Sequence, residues 1–202
     1  MSDAPGRDPV RSSADEPAAA NDRIVPAVDA WQRAADRGAA ARDRAAPGEG
    51  GIGSGGERRG APWTPASARL PGRLHGELID WLRGGLPNEA CGVLVSERVA
   101  ADGGVPSRFV GMRNAAASPY RYLMDAEEQL RTLLEIDDHD EVVWGIVHSH
   151  VSSPPAPSST DVGLAAYPDA LYLIASFATE PPQLRAWTIV SGAVNEVVLE
   201  PT

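Results

Sequence analysis

From Leu70 onward the apolar positions fall into short blocks, each closed by a turn residue or a polar cluster. RLHGELIDWL (73–82) places Leu74, Leu78, Ile79 and Leu82 at helical spacing, and Gly84-Gly85 ends the segment. ACGVLVS (90–96) is a short apolar run of strand character. RFVGMRN (108–114) predicts a second strand and YRYLM (120–124) a third, with Tyr120, Tyr122 and Met124 on one side. Asp125 is placed to cap a helix over AEEQLRTLLEID (126–137), with Leu130, Leu133 and Leu134 facing inward. VVWGIVHSH (142–150) is a buried strand that turns polar at its end, and after a proline-rich loop a short helix is predicted from near Ser158 to about Tyr167. LYLIASF (171–177), LRAWTIV (184–190) and AVNEVVLE (193–200) complete a set of strands, the last two joined at Ser191-Gly192 as a hairpin. Helices interleaved with a mixed sheet predict an α/β architecture of the α+β sandwich kind.

The first 65 residues follow no such pattern. They are mostly Ala, Gly, Pro, Asp, Arg and Ser, whereas residues 66–202 hold both Phe, all four Tyr and three of the five Trp. Only the second part can bury enough apolar surface to offset the ordering entropy of folding. The division predicts a disordered tail over 1–65 and one folded domain over 66–202. Within the tail, 26–45 has a thin helical stripe at Val28 and Trp31, broken at Gly38.

Charge narrows the partners. The first 65 residues carry 9 Arg against 10 acids and the remainder 9 Arg against 18. A domain this acidic, with no basic cluster, is poorly suited to phosphate backbones or anionic membranes, so neither nucleic acid nor a membrane is expected as partner. There is no lysine, which excludes Schiff-base chemistry by this chain. Cys91 is the single cysteine, so neither an internal disulfide nor a cysteine-rich metal site is available. The N-terminus lacks the apolar segment of a secretory signal, and no stretch approaches about 18 apolar residues; a cytoplasmic protein is expected.

Against that background, two of the four histidines stand one residue apart at the end of an apolar strand. Alternation puts His148 and His150 on one face. Two imidazoles, with Asp161 returned by the turn at Pro154, Pro155 and Pro157, supply three ligands to a zinc ion and leave a fourth position open, as in catalytic sites. The plainer reading is that strand histidines are packed or solvated. Ser158-x-x-Asp161 equally fits a helix capping box, a role compatible with a ligand role for Asp161. Spacing does not select a general base from the domain's glutamates.

His148-Ser-His150, seven residues, Ser158, two residues, Asp161 resembles the signature of the JAMM (MPN+) metallopeptidase family. Pro87-Asn-Glu89-Ala-Cys91-Gly92-Val-Leu resembles the segment carrying that family's glutamate in bacterial members. The resemblance spans about residues 69–200. MRNAAASPYRYLMDAEEQLR, between the motifs, is similar to an actinobacterial branch that cleaves cysteine from the C-terminus of a ubiquitin-like sulfur-carrier protein. The resemblance implies that His148, His150 and Asp161 bind Zn2+, that Glu89 moves a proton from the attacking water to the leaving amine, and that Ser158 hydrogen-bonds the developing oxyanion. The implied substrate is a carrier with a C-terminal Gly-Gly tail, and the implied role is cysteine biosynthesis. Members commonly have proline directly after the second histidine, where this chain has Val151. The insertions with which eukaryotic deubiquitinating relatives hold ubiquitin are missing, which implies a smaller prokaryotic substrate.

Two other functions compete: a JAMM peptidase or isopeptidase acting on other ubiquitin-like conjugates or small peptides, and a non-catalytic MPN scaffold. Elsewhere the sequence predicts structural roles. Cys91 reads as a buried structural thiol rather than a nucleophile. His75 and His139 read as solvated, the acidic run Glu135 to Glu141 as a solvated helix end, Trp144 and Trp187 as core, and Gly103-Gly104 as a turn between strands.

Overall fold

The computed structural model describes residues 65–202. The expected tail and its helical stripe at 26–45 lie outside the described residues. The elements run β1 (Ser67–Leu70), α1 (Gly72–Gly84), β2 (Cys91–Ser96), β3 (Arg108–Met112), α2 (Ala126–Asp138), β4 (Val142–His150), α3 (Ser159–Leu164), β5 (Leu171–Ser176), β6 (Gln183–Val190) and β7 (Ala193–Pro201). The strands form one seven-stranded mixed sheet in the order β1-β7-β6-β5-β4-β2-β3. β4 and β5 at its centre are parallel, and so are β1 and β7; the remaining neighbours are antiparallel. The α/β class is as expected. Among the described residues no helix is long and apolar enough to cross a membrane.

Each face of the sheet is covered by one long helix. On the first face α1 lays Leu74, Leu78, Ile79 and Leu82 against Leu94, Trp144, Val147, Leu171 and Leu173. Burying each such aliphatic side chain contributes about 1.5–3 kcal/mol, so this stripe alone holds the helix to the sheet. On the second face α2 packs Ile136 and Leu133 over Cys91, Val93, Val95, Val143, Ile146 and Tyr172.

β4 changes its alternation once. Leu94 pairs with Gly145 but Val95 pairs with Val143, so Trp144 is an extra residue in a β-bulge. Trp144 therefore joins Gly145 on the α1 side, where its indole N–H donates to the Gly104 carbonyl at 2.8 Å. From there strict alternation puts Ile146, and then His148 and His150, on the α2 side.

Four expectations need correction. YRYLM (120–124) is not a strand: apart from one bridge between Asn114 and Met124 it is irregular, and Tyr120 is fully exposed. Its backbone is held instead by the Asn114 side chain, which accepts from the N–H of Ala116 and Leu123 and donates to the Arg121 carbonyl. Leu130 and Leu134 face outward, because the buried stripe of α2 runs through Thr132 and Ile136, one step around the helix. The helix expected to run to about Tyr167 ends at Leu164. β1, not anticipated, adds a short parallel edge beside β7.

The other elements match. Asp125 caps α2 by accepting from the N–H of Glu127 and Glu128. Ser191 and Gly192 both take positive φ in the β6–β7 hairpin, as a two-residue turn of this twist requires. Cys91, Trp144 and most of Trp187 are buried, while His75 and His139 are exposed.

β2 lies close to β3 because position 92 has no side chain. A Cβ at Gly92 would fall 2.5 Å from the Val110 carbonyl oxygen and 2.7 Å from the Phe109 ring. Gly92→Ala is expected to lower stability by about 1–3 kcal/mol, the usual cost of overpacking, read as a lower urea midpoint. An unchanged midpoint would mean that the two strands are not held this tightly.

Candidate active site

The site is assembled where β4 ends. Cys91 pairs with His148 across the antiparallel β2–β4 ladder. One step further out, Ser149 N–H donates to the Ala90 carbonyl at 3.0 Å, and Ala90 N–H donates to Ser149 Oγ at 2.8 Å. The next residue outward is Glu89, which lines the same cleft as His150. Register alone thus brings a glutamate from some sixty residues upstream beside the histidine pair.

The proline loop is pinned to the sheet through three successive carbonyls. Ser153 O accepts from Ser176 Oγ at 2.6 Å, Pro154 O from His150 Nδ1 at 2.7 Å, and Pro155 O from Trp187 Nε1 at 3.0 Å. Val151, in the place where the family commonly has proline, stands in a loop held by these bonds. The loop then delivers α3, whose first turn carries the capping box read from the sequence. Asp161 N–H donates to Ser158 Oγ at 3.2 Å, and Ser158 N–H donates to Asp161 Oδ2 at 2.7 Å. That reciprocal pair aims the Asp161 carboxylate back at the strand.

The result is a tight convergence. His148 Nε2 lies 3.2 Å from His150 Nε2 and 3.4 Å from Asp161 Oδ1, and His150 Nε2 lies 3.6 Å from Asp161 Oδ2. His150 Nδ1 must carry the hydrogen, since a carbonyl can only accept; in the neutral ring Nε2 is therefore a lone pair aimed at the cluster. His148 is fully buried, its ring stacked on Tyr122 at 4.5 Å, and its Nδ1 has no hydrogen-bond partner among the described residues. Two imidazole nitrogens and a carboxylate oxygen within 4.8 Å of one another form a nitrogen–oxygen donor set that suits a zinc ion. The residues fit such a metal: His148, His150 and Asp161 would hold it.

Burial and charge set the protonation of this cluster. Burial pulls the His148 pKa down. For His150 burial also acts downward, but the bonds to Asp161 and Pro154 and the charges of Glu89 and Asp161 outweigh it and raise the pKa. Burial opposes the charge on Asp161, yet hydrogen bonds from His148, His150 and Ser158 hold its carboxyl well below the usual carboxylate range. Glu89 behaves oppositely: burial pushes its carboxyl up to about 7, with His150 opposing and Asp161 adding to the rise. Two carboxylates in one cleft thus differ in the way acid–base chemistry needs, one permanently charged and one able to exchange a proton near neutrality. Cys91, by contrast, is buried with its thiol pushed up to about 12, no nucleophile at neutral pH.

A cleft opens over these groups. Pro119, Tyr120, Arg121 and Tyr122, from the loop before α2, line it together with Ser158, Thr160, Asp161 and Leu164, from α3 and its cap, and with Glu89 and His150. Asn114, which sequence reasoning missed, ties the near wall to the base: its Nδ2 donates to the Glu89 carbonyl at 2.8 Å as well as to Arg121. The available signal was an asparagine opening the turn-rich run NAAASP, where its amide can replace backbone partners.

The model for prokaryotic homologs of the JAB domain matches residues 71–190, which include all of these groups. The chain belongs to that family. It is the JAMM-type family that the histidine–serine–aspartate spacing resembles. Among its relatives, the CysO-cysteine peptidase of Mycobacterium tuberculosis is 43% identical over 113 residues, covering 54% of this chain and 74% of that protein. The desampylase of Pyrococcus furiosus is 34% identical over 102 residues, covering 50% of this chain and 66% of the relative. The solution structure of a Desulfitobacterium hafniense protein superposes with a TM-score of 0.60 at 32% identity, covering 67% of this chain and 92% of the other.

The raised Glu89 pKa has a consequence in the metal-free protein. Neutral Glu89 is favoured by folding, so its contribution to stability is complete below the ordinary glutamate value of 4.5 and is lost as pH rises through about 7. Metal-free Glu89→Gln is therefore expected to melt at the wild-type temperature at pH 4 and above it at pH 8. Equal melting temperatures at both pH values would show that Glu89 is not desolvated.

Proposed function

We propose that this chain is a zinc-dependent peptidase that hydrolyses the peptide bond after the C-terminal glycine of a ubiquitin-like sulfur carrier and releases cysteine. The observation that carries the reading is the convergence of His148, His150 and Asp161, with Glu89 in the same cleft. The 43% identity to a CysO-cysteine peptidase supports the choice of substrate. Residues 66–202 are the unit to which we assign the activity, and cysteine supply is the role that follows from it.

His148, His150 and Asp161 would hold a zinc ion, which would supply Lewis-acid polarisation and lower the pKa of the attacking water toward neutrality. Glu89, in the same cleft, accepts a proton from the attacking water and passes it to the leaving amine. Ser158 Oγ already accepts from Asp161 N–H, so its own hydrogen is free to donate to the oxyanion that forms on the scissile carbonyl. Tyr122, stacked on His148, keeps that ring fixed and shields it from bulk water.

The likeness to a desampylase favours one other reading, a peptidase acting on isopeptide-linked conjugates of a ubiquitin-like protein. A scaffold without catalysis would have no need of a complete donor set beside a proton-exchanging carboxyl. The test is release of cysteine from a carrier–cysteine conjugate by the zinc-loaded protein, run beside a lysine-linked conjugate. Glu89→Gln is expected to lower turnover about 10²–10⁴-fold, the usual worth of a general acid–base. Wild-type release no faster than that of Glu89→Gln would overturn the peptidase reading; faster cleavage of the lysine-linked conjugate would favour the isopeptidase.

A further inference from the structure

One feature of the cleft wall answers a question of specificity. The acidic groups lining the cleft are Glu89 and Asp161, in a domain with twice as many acids as arginines. Away from the metal position, such a field does not favour a substrate that ends in a free carboxylate. Yet a substrate carrying one cysteine beyond the scissile bond presents its C-terminal carboxylate one residue from the reacting carbonyl. The structure assigns the compensating charge to Arg121: we propose that its guanidinium binds the free α-carboxylate of the single-residue leaving group, and so makes the site a remover of one C-terminal residue. This rests on the peptidase reading above and deepens it.

Three observations support the assignment. Among the described residues Arg121 is the one arginine or lysine lining the cleft, and it stands between Tyr120 and Tyr122, which line it too. Its side chain is exposed and, like Arg69, Arg73 and Arg98 but unlike Arg83, Arg108, Arg113, Arg131 and Arg185, makes no ion pair among the described residues; of these four it alone lines the cleft. A free guanidinium fork is the group best shaped to grip a carboxylate with two parallel bonds. Finally, its backbone is not adrift. Asn114 Nδ2 donates to the carbonyls of both Arg121 and Glu89, and Glu89 N–H donates to the Ser118 carbonyl at 2.9 Å. Base and arginine are therefore mounted on one hydrogen-bonded node, which fixes the starting point of the Arg121 side chain relative to the reacting bond. An isopeptide-linked substrate has no carboxylate in this place, so the assignment also separates the two substrate readings.

The experiment compares two forms of one carrier–cysteine conjugate, ending in the free carboxylate or in a carboxamide, with the zinc-loaded full chain. Wild type is expected to show about a tenfold or greater preference in kcat/KM for the carboxylate, the scale of a charge-assisted hydrogen bond. In Arg121→Gln the ratio should fall to near one, through KM more than kcat, and Arg121→Lys should restore part of it. A wild-type ratio near one, or a ratio unchanged in Arg121→Gln, overturns the assignment while leaving the peptidase intact. Cleavage of neither form by wild type is a separate result, which overturns the peptidase reading itself.

Discussion

The pairing of β2 with β4 is the constraint on which the site depends. It sets Cys91 opposite His148, and the two bonds between Ala90 and Ser149 carry the contact one residue further, so that Glu89 enters the same cleft as His150. The bulge at Trp144 decides the face. Without that extra residue, alternation carried from Val143 would turn both imidazoles toward α1 and the apolar core, away from α3. The indole at the bulge is buried with its N–H satisfied by Gly104, so the irregularity is anchored rather than tolerated. Gly92, which lets β3 approach, keeps β2 sandwiched between two neighbours and so holds the register that positions the base.

Around this ladder, the remaining parts are delivered by bonds that join backbone to side chain. Carbonyls 153, 154 and 155 are each held by a different donor from the sheet, and one of those donors is the ring nitrogen of His150. A bond that shapes the loop thus also selects the histidine tautomer, with its lone pair toward the donor cluster. The capping box does the same double duty for Asp161, satisfying the first turn of α3 while aiming the carboxylate. Loop and site are consequently hard to change separately.

Much of the site is legible in the sequence. His148, His150, Ser158 and Asp161 lie within fourteen residues of one another, so strand alternation and cap chemistry, both local rules, suffice to group them. Glu89 was not accessible to those rules, because its proximity arises from a long-range register; only the family resemblance pointed to it. The misreadings have the same origin. Tyr120, Tyr122 and Met124 alternate as a strand would, but Asn114 satisfies the backbone there and no ladder forms. Leu130 and Leu134 fit an apolar stripe, yet the contact that decides which stripe is buried belongs to the sheet, and it selects Thr132 and Ile136. β1 is four residues long and exists only because β7 offers it an edge.

The central claim is that this register builds a metal site from two imidazoles and one carboxylate. X-ray absorption spectroscopy of the zinc-loaded full chain tests it most directly. We expect one zinc per chain with only nitrogen and oxygen neighbours at about 2.0–2.2 Å, the multiple-scattering signature of two imidazoles, and loss of that signature in His148→Ala. A zinc–sulfur distance near 2.3 Å, implicating Cys91, or the absence of stoichiometric zinc would contradict it.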